Sequence, residues 1–252
     1  MKQSSARQQG VELALAAAQG QLKGMDPQAV ARQSASRWVG AAGQGDLEID
    51  FLNCCYQVSF PEAEVKSRTV ALRHPDSQIF IQSSAGRFAE NTGDKGCITL
   101  PASGKAAGEQ GEEPSLVRKV LILHYLIQAQ GHGLAGRWIA FRGLPGGVVY
   151  YPVFRQRVIA RLIRQFGERP ERLIQAAAPL GGRAIAMADW AVEIPAFARV
   201  PLVLALWEGS PEFGPEAAVM FDEALPFYLE TEDAIVACEE ILGEMKQHVQ
   251  SI

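Results

Sequence analysis

Apolar positions along the chain change spacing several times, and each change marks an element. Residues 8–23 are an Ala-rich run of helix formers that Gly24 closes. Asp26-Pro27 places a capping acid before a proline at the first helical position, which predicts a second helix through about Trp38. Gly40, Gly43 and Gly45 read as a loop. Residues 47–52 and 55–60 read as two strands around a tight turn at Asn53-Cys54, and Pro61 ends that hairpin. Residues 62–113 differ in character: short apolar runs at Ile79-Phe80-Ile81 and Cys97-Ile98-Thr99-Leu100 lie among polar segments. This stretch reads as an insertion or long surface excursion, or as a cover over a site.

The pattern sharpens at Pro114-Ser115, which start a helix that is apolar almost all round, predicting a buried central helix over about 115–130. Residues 137–144 read as a strand, Pro145-Gly146-Gly147 as a turn, and residues 148–151 as another strand. Pro152 is expected to open a helix with Phe154, Val158, Leu162 and Phe166 on its inner face and Gly167 at its end. A shorter helix follows Pro170 and stops at Gly181-Gly182. Trp190, Val192 and Ile194 alternate as in a half-buried strand, while residues 200–207 are nearly continuously apolar and suit an internal one. Residues 217–221 make a third strand. Thr231 caps a last helix whose inward stripe is Ile235, Cys238, Leu242 and Met245. The predicted class is α+β, an antiparallel sheet with helices packed mainly on one face. The expected organisation is a single domain over residues 1–252, with N-terminal helices within 1–46 and a core at 115–248.

Composition narrows the function classes. The chain has 252 residues, 48% apolar, with a formal net charge of -4. A chain of that size buries a core without disulfides or a structural metal, and its mild acidity argues against a dedicated nucleic-acid binder. Cys54, Cys55, Cys97 and Cys238 show no metal-ligand spacing, so neither a bound metal nor an iron–sulfur cluster is expected. No apolar run approaches the roughly 20 residues of a spanning helix. Lys2 and Arg7 before residues 11–18 superficially resemble a leader, but Glu12 interrupts the apolar region. A cytoplasmic protein without a membrane partner is therefore expected.

Charge is distributed unevenly. Residues 137–172 hold eight arginines, no lysine and two acids, whereas residues 206–245 hold eleven acids and no base. Either the two regions meet or each faces a partner. Arg157, Arg161 and Arg164 share one helical face, which reads as a solvated or ion-paired face, or as an anion site. Between Arg142 and Arg155, the glycines Gly146 and Gly147 permit a turn with positive φ, and equally let backbone amides approach an anion. Tyr125, Trp138 and Tyr151 are candidates to line an apolar wall beside that turn. His124 lies on the apolar stripe of the 115–130 helix, where a hydrogen-bonded core histidine is the ordinary reading and an axial ligand to a tetrapyrrole or corrin metal the sharper one. Asp189 and Asp222 stand at strand ends, as caps or as catalytic bases. No nucleophile–base motif accompanies them.

In order along the chain stand Ile122-Leu123-His124-Tyr125-Leu126, Gly136-Arg137-Trp138-Ile139-Ala140-Phe141-Arg142-Gly143-Leu144-Pro145-Gly146-Gly147, Leu180-Gly181-Gly182, Ala196-Phe197-Ala198-Arg199-Val200-Pro201-Leu202, Leu206-Trp207-Glu208-Gly209, Glu212-Phe213 and Thr231-Glu232-Asp233. This series resembles the prokaryotic family called domain of unknown function 3786, over about residues 115–240 with a weaker echo at 47–60. The resemblance implies a cytoplasmic setting near the corrinoid or one-carbon metabolism of anaerobes. Some members carry a four-cysteine iron–sulfur module like that of corrinoid iron–sulfur proteins. This chain has no such module, and the resemblance supplies no catalytic residue.

The reading that follows is a binding or accessory protein for an anionic small molecule or cofactor near Arg142, Gly146, Gly147 and Arg155. Two rivals stand beside it. One is an enzyme using His124, Asp189 or Asp222 as acid or base. The other is a scaffold whose acidic C-terminal third docks a basic protein partner.

Overall fold

The computed structural model describes residues 2–41, 43–68, 113–210 and 212–250. The strands expected at 79–81 and 97–100, and nearly all of the 62–113 excursion, lie outside them. Helix α1 (Lys2–Lys23) is followed by α2 (Pro27–Ser34), where the Asp26 carboxylate accepts from the Gln28 amide as the cap predicts. Helix α2 ends well before Trp38, because Ala35 adopts a left-handed conformation with φ 55° and turns the chain into a strand.

That strand opens a four-stranded antiparallel meander of β1 (Arg37–Ala41), β2 (Gln44–Phe51), β3 (Cys54–Phe60) and β4 (Val65–Arg68). The expected glycine loop is thus a strand pair. Gly40 and Gly45 face each other in register, and a Cβ on Gly40 would lie 2.7 Å from the Gly45 Cα. Only glycine fits at that crossing. The β2–β3 turn falls at Leu52 and Asn53, one residue earlier than expected, with both φ positive as a tight hairpin turn requires. Leucine in that conformation costs about 1–2 kcal/mol. Burial of Leu52, its amide bond to the Ala196 carbonyl (3.0 Å) and the Asn53 side-chain bond to the Pro179 carbonyl (3.1 Å) offset it.

The second sheet has five antiparallel strands in the order β5, β9, β8, β7, β6, formed by β5 (Trp138–Ala140), β6 (Arg183–Ala184), β7 (Trp190–Phe197), β8 (Val200–Trp207) and β9 (Glu216–Asp222). Its middle strand is β8, the one whose sequence reads as internal. Leu202, Leu204 and Leu206 face the main core, whereas Val203 and Ala205 join a small cluster with Ala191 on the other side, against Ile185 and Met187. The fold is α+β, with two sheets among the described residues where one was expected. A continuous buried core runs from the meander through α3 (Leu116–Gln128) to the five-stranded sheet and α7 (Thr231–Gln250). Helix α3 is the buried helix read from the sequence, and the inward stripe of α7 is buried at all four expected positions. Among the described residues no helix is long and apolar enough to cross a membrane.

The largest departure lies at residues 141–160. The expected strand stops at Ala140, and Phe141–Gly143 forms a short 3-10 turn. Residues 148–151 are not a strand but belong to α4 (Gly147–Phe154), so Pro152 sits inside a helix instead of opening one. Gly146, at φ 69°, sets the chain on that path, overriding the strand propensity of Val-Val-Tyr-Tyr. One π-turn, Arg155–Ile159, follows the proline before α5 (Ala160–Phe166) and α6 (Glu171–Ala177). Phe154, Val158, Leu162 and Phe166 nonetheless all reach the core.

Candidate functional site

The turn at residues 144–147 is built from the inside out. Phe141 is buried and stacks on Phe154 with ring centroids 3.9 Å apart, and both rings lean on Phe221. Tyr151 extends this aromatic column toward the surface at 6.4 Å from Phe154, and the Arg142 guanidinium lies 3.8 Å from the Tyr151 ring centroid. Gly147 admits no side chain, since a Cβ would stand 2.0 Å from the Phe141 carbonyl oxygen. The turn's own carbonyls use most of the local amides. Gly147 donates to Leu144, while Val149 and Tyr150 both donate to Gly146.

The arginine-rich and acidic regions meet in part. Arg157 makes a paired hydrogen bond with the Glu239 carboxylate, and Arg161 donates to the Glu239 carbonyl (3.2 Å). Arg137 pairs with Glu223. Two further α7 acids, Glu240 and Glu244, are held by Arg118 of α3, which also donates to the Tyr56 hydroxyl (3.2 Å) and lies over the Phe51 ring. Arg142 and Arg155 are exposed and have no acid partner among the described residues. Next to Arg155 lies an open hollow of about 350 Å³ lined by Pro152, Arg155, Gln156 and Ala160.

The first turn of α7 ties this region to α3. The Thr231 hydroxyl donates to the Pro145 carbonyl (2.6 Å), so it anchors the glycine turn. Two residues on, Asp233 receives the His124 Nδ1 at 2.9 and 3.0 Å from its two oxygens. That hydrogen bond raises the His124 pKa, with the Asp233 charge acting the same way and burial opposing it. Glu232 between them is exposed, and its carboxylate pushes the Tyr150 hydroxyl pKa up.

Of the residues expected to form one site, Arg142, Gly146, Gly147 and Tyr151 come together, and Arg155 lies one helical turn beyond Tyr151. Tyr125 is fully buried, stacked 4.1 Å from Phe197, and donates to the Ser34 carbonyl. Trp138 packs with the small cluster on the other face of the five-stranded sheet. Asp222 is buried and accepts the Ala135, Gly136 and Ala224 amides, which shapes the loop before β5. Asp189 accepts the Glu208 amide at the sheet's far end. The sequence marks Asp233 only as part of the Thr231-Glu232-Asp233 motif, not as a site residue, and does not mark Arg118 as one. Two adjacent cations on an otherwise apolar helix signal Arg118, but nothing local signals that Asp233 meets His124. Among the described residues no group of His, Cys, Asp and Glu side chains is arranged to hold a metal.

Comparison with known families places these segments. Residues 92–244 match the family described as domain of unknown function (DUF3786). The chain belongs to that family. The DUF3786 match begins inside the 62–113 stretch, so part of that excursion is family sequence, and it leaves the 47–60 echo outside. It includes α3, the glycine turn, the five-stranded sheet and α7 as far as Glu244. No curated protein and no solved structure matches the chain.

Proposed function

We infer that the protein binds an anionic small molecule or cofactor on the surface around Arg142, Gly146, Gly147, Tyr151 and Arg155. The observation that carries this reading is the Arg142 guanidinium stacked on Tyr151 with no acid beside it among the described residues. A stacked guanidinium is held in one plane and keeps its N–H donors at the rim, the geometry that receives a carboxylate or phosphate through two bonds. Tyr151 would supply the apolar wall, because Tyr125 and Trp138 are occupied elsewhere. Calorimetry with cobalamins, haem and phosphorylated metabolites tests the reading. Arg142→Ala should weaken binding about tenfold, a change of about 1.4 kcal/mol. No heat from any of them at millimolar ligand removes it.

A second reading rests on the His124–Asp233 pair. A carboxylate on Nδ1 fixes the tautomer and turns Nε2 into the working nitrogen, whether as an acid–base group or as a ligand to a metal-bearing cofactor. A single imidazole is a donor that the metal of a corrinoid or other tetrapyrrole takes, and the family resemblance suggests a group of that kind. Such a group would supply the metal chemistry, while His124 would hold it and Asp233 would orient His124. Spectral change on adding cobalamin or haem, lost in His124→Ala and kept in Arg142→Ala, separates this reading from the first.

A further inference from the structure

Helix α4 shows an inverted surface. Val148 is 70% exposed, Val149 78% and Val153 42%, and Pro152 beside them is exposed as well. Residues 148, 149, 152 and 153 follow the spacing that places side chains on one helical face. An ordinary surface helix carries its polar residues there. Next to this apolar strip stand two cations without acids among the described residues, Arg142 before the helix and Arg155 after it. The acid nearest Tyr150 of this helix, Glu232, is exposed and keeps its charge. A contiguous apolar face with a cation at each end is the surface expected of a recognition site.

We propose that the α4 face docks an acidic segment of a partner protein, its apolar residues on Val148, Val149 and Val153 and its carboxylates on Arg142 and Arg155. Charge decides among the occupants. A second copy meeting this face about a two-fold axis would bring like guanidinium groups together, which is unfavourable. An anionic membrane would meet only an eight-residue helix without the large apolar anchors and repeated cations of interfacial helices. An acidic peptide satisfies both the strip and its rim. The proposal goes beyond the small-anion reading, although the two share Arg142 and Arg155.

The test is selection of displayed random 16-residue peptides on the full chain, followed by affinity measurement with synthetic copies of those enriched. Enriched sequences should join two or more carboxylates to apolar residues. Their affinity should fall about tenfold both in Val148→Ser/Val149→Ser and in Arg142→Glu/Arg155→Glu, and stay within about twofold in the control Arg169→Glu. Failure to enrich any peptide, or enrichment indifferent to the valines, overturns the proposal. So does sedimentation of the chain with phosphatidylserine vesicles that the same variants abolish, or a dimer that Val148→Ser/Val149→Ser dissociates. Small-anion binding that survives the valine changes but not Arg142→Glu would leave the first reading standing while this one fails.

Discussion

At the scale of single residues, the His124–Asp233 contact makes stability depend on pH in a defined direction. The carboxylate raises the folded-state pKa of His124 above the ordinary value of about 6.5. Folding therefore favours the protonated ring, and the resulting stabilisation is complete below the unfolded value and fades as pH climbs through the folded one. Urea midpoints of the native chain and of Asp233→Asn should lie furthest apart in mildly acidic buffer and converge toward pH 9. Loss of a charge at the start of α7 leaves a remainder that does not vary with pH. A gap of constant size from pH 5.5 to 9 would show that the pair contributes no proton linkage. Sequence identifies His124 as unusual, since a polar ring on an apolar stripe needs a partner. It cannot name that partner, because the contact joins residues far apart in the chain.

At the scale of elements, Arg118 is the side chain that joins three of them: α3 carries it, β3 meets it through Tyr56, and α7 meets it through Glu240 and Glu244. Both carboxylates are largely buried, so removing the cation leaves them facing each other. Arg118→Met should cost about 3 kcal/mol by chemical denaturation, and adding Glu240→Gln with Glu244→Gln should recover part of it. A loss under about 0.5 kcal/mol, the range of ordinary surface changes, would refute that role. Elements with one dominant signal were legible before the fold was known. The inward stripe of α7 and the continuous apolar run of β8 are periodic, and burial alone dictates them. Helix α4 was not legible, because Val-Val-Tyr-Tyr has strand chemistry and the deciding feature is the backbone turn at Gly146. The glycines of β1 and β2 misled for a related reason. Their role is the close approach of Gly40 to Gly45, which only the pairing reveals. The candidate site divides in the same way: local composition marks Arg142, Gly146, Gly147 and Tyr151, while the burial of Tyr125 and the packing of Trp138 depend on distant strands.

For the whole molecule, the two sheets meet through aromatic stacking as well as through the Leu52 turn. Phe197 lies between Phe51 of the meander, at 4.6 Å, and Tyr125 of α3, at 4.1 Å. Phe197→Ala should destabilise the chain by about 3–5 kcal/mol. If the shared core makes both sheets one cooperative unit, fluorescence from Trp38 in a variant with Trp138, Trp190 and Trp207 replaced by Phe, and far-UV circular dichroism of the same variant, should report coincident unfolding. Separate midpoints would mean that the meander melts on its own.

Strand order also bears on how the chain emerges during synthesis. Each strand of the meander finds its neighbour soon after it appears, since β1 to β4 follow one another in the sheet as in the chain. Strand β5 has no such neighbour. Its partner is β9, so the backbone groups of residues 138–140 wait until residues 216–222 leave the ribosome, on the order of ten seconds at ordinary translation rates. In that interval the backbone groups of residues 138–140 have only water to bond to, so the closing of the five-stranded sheet is a late event in synthesis.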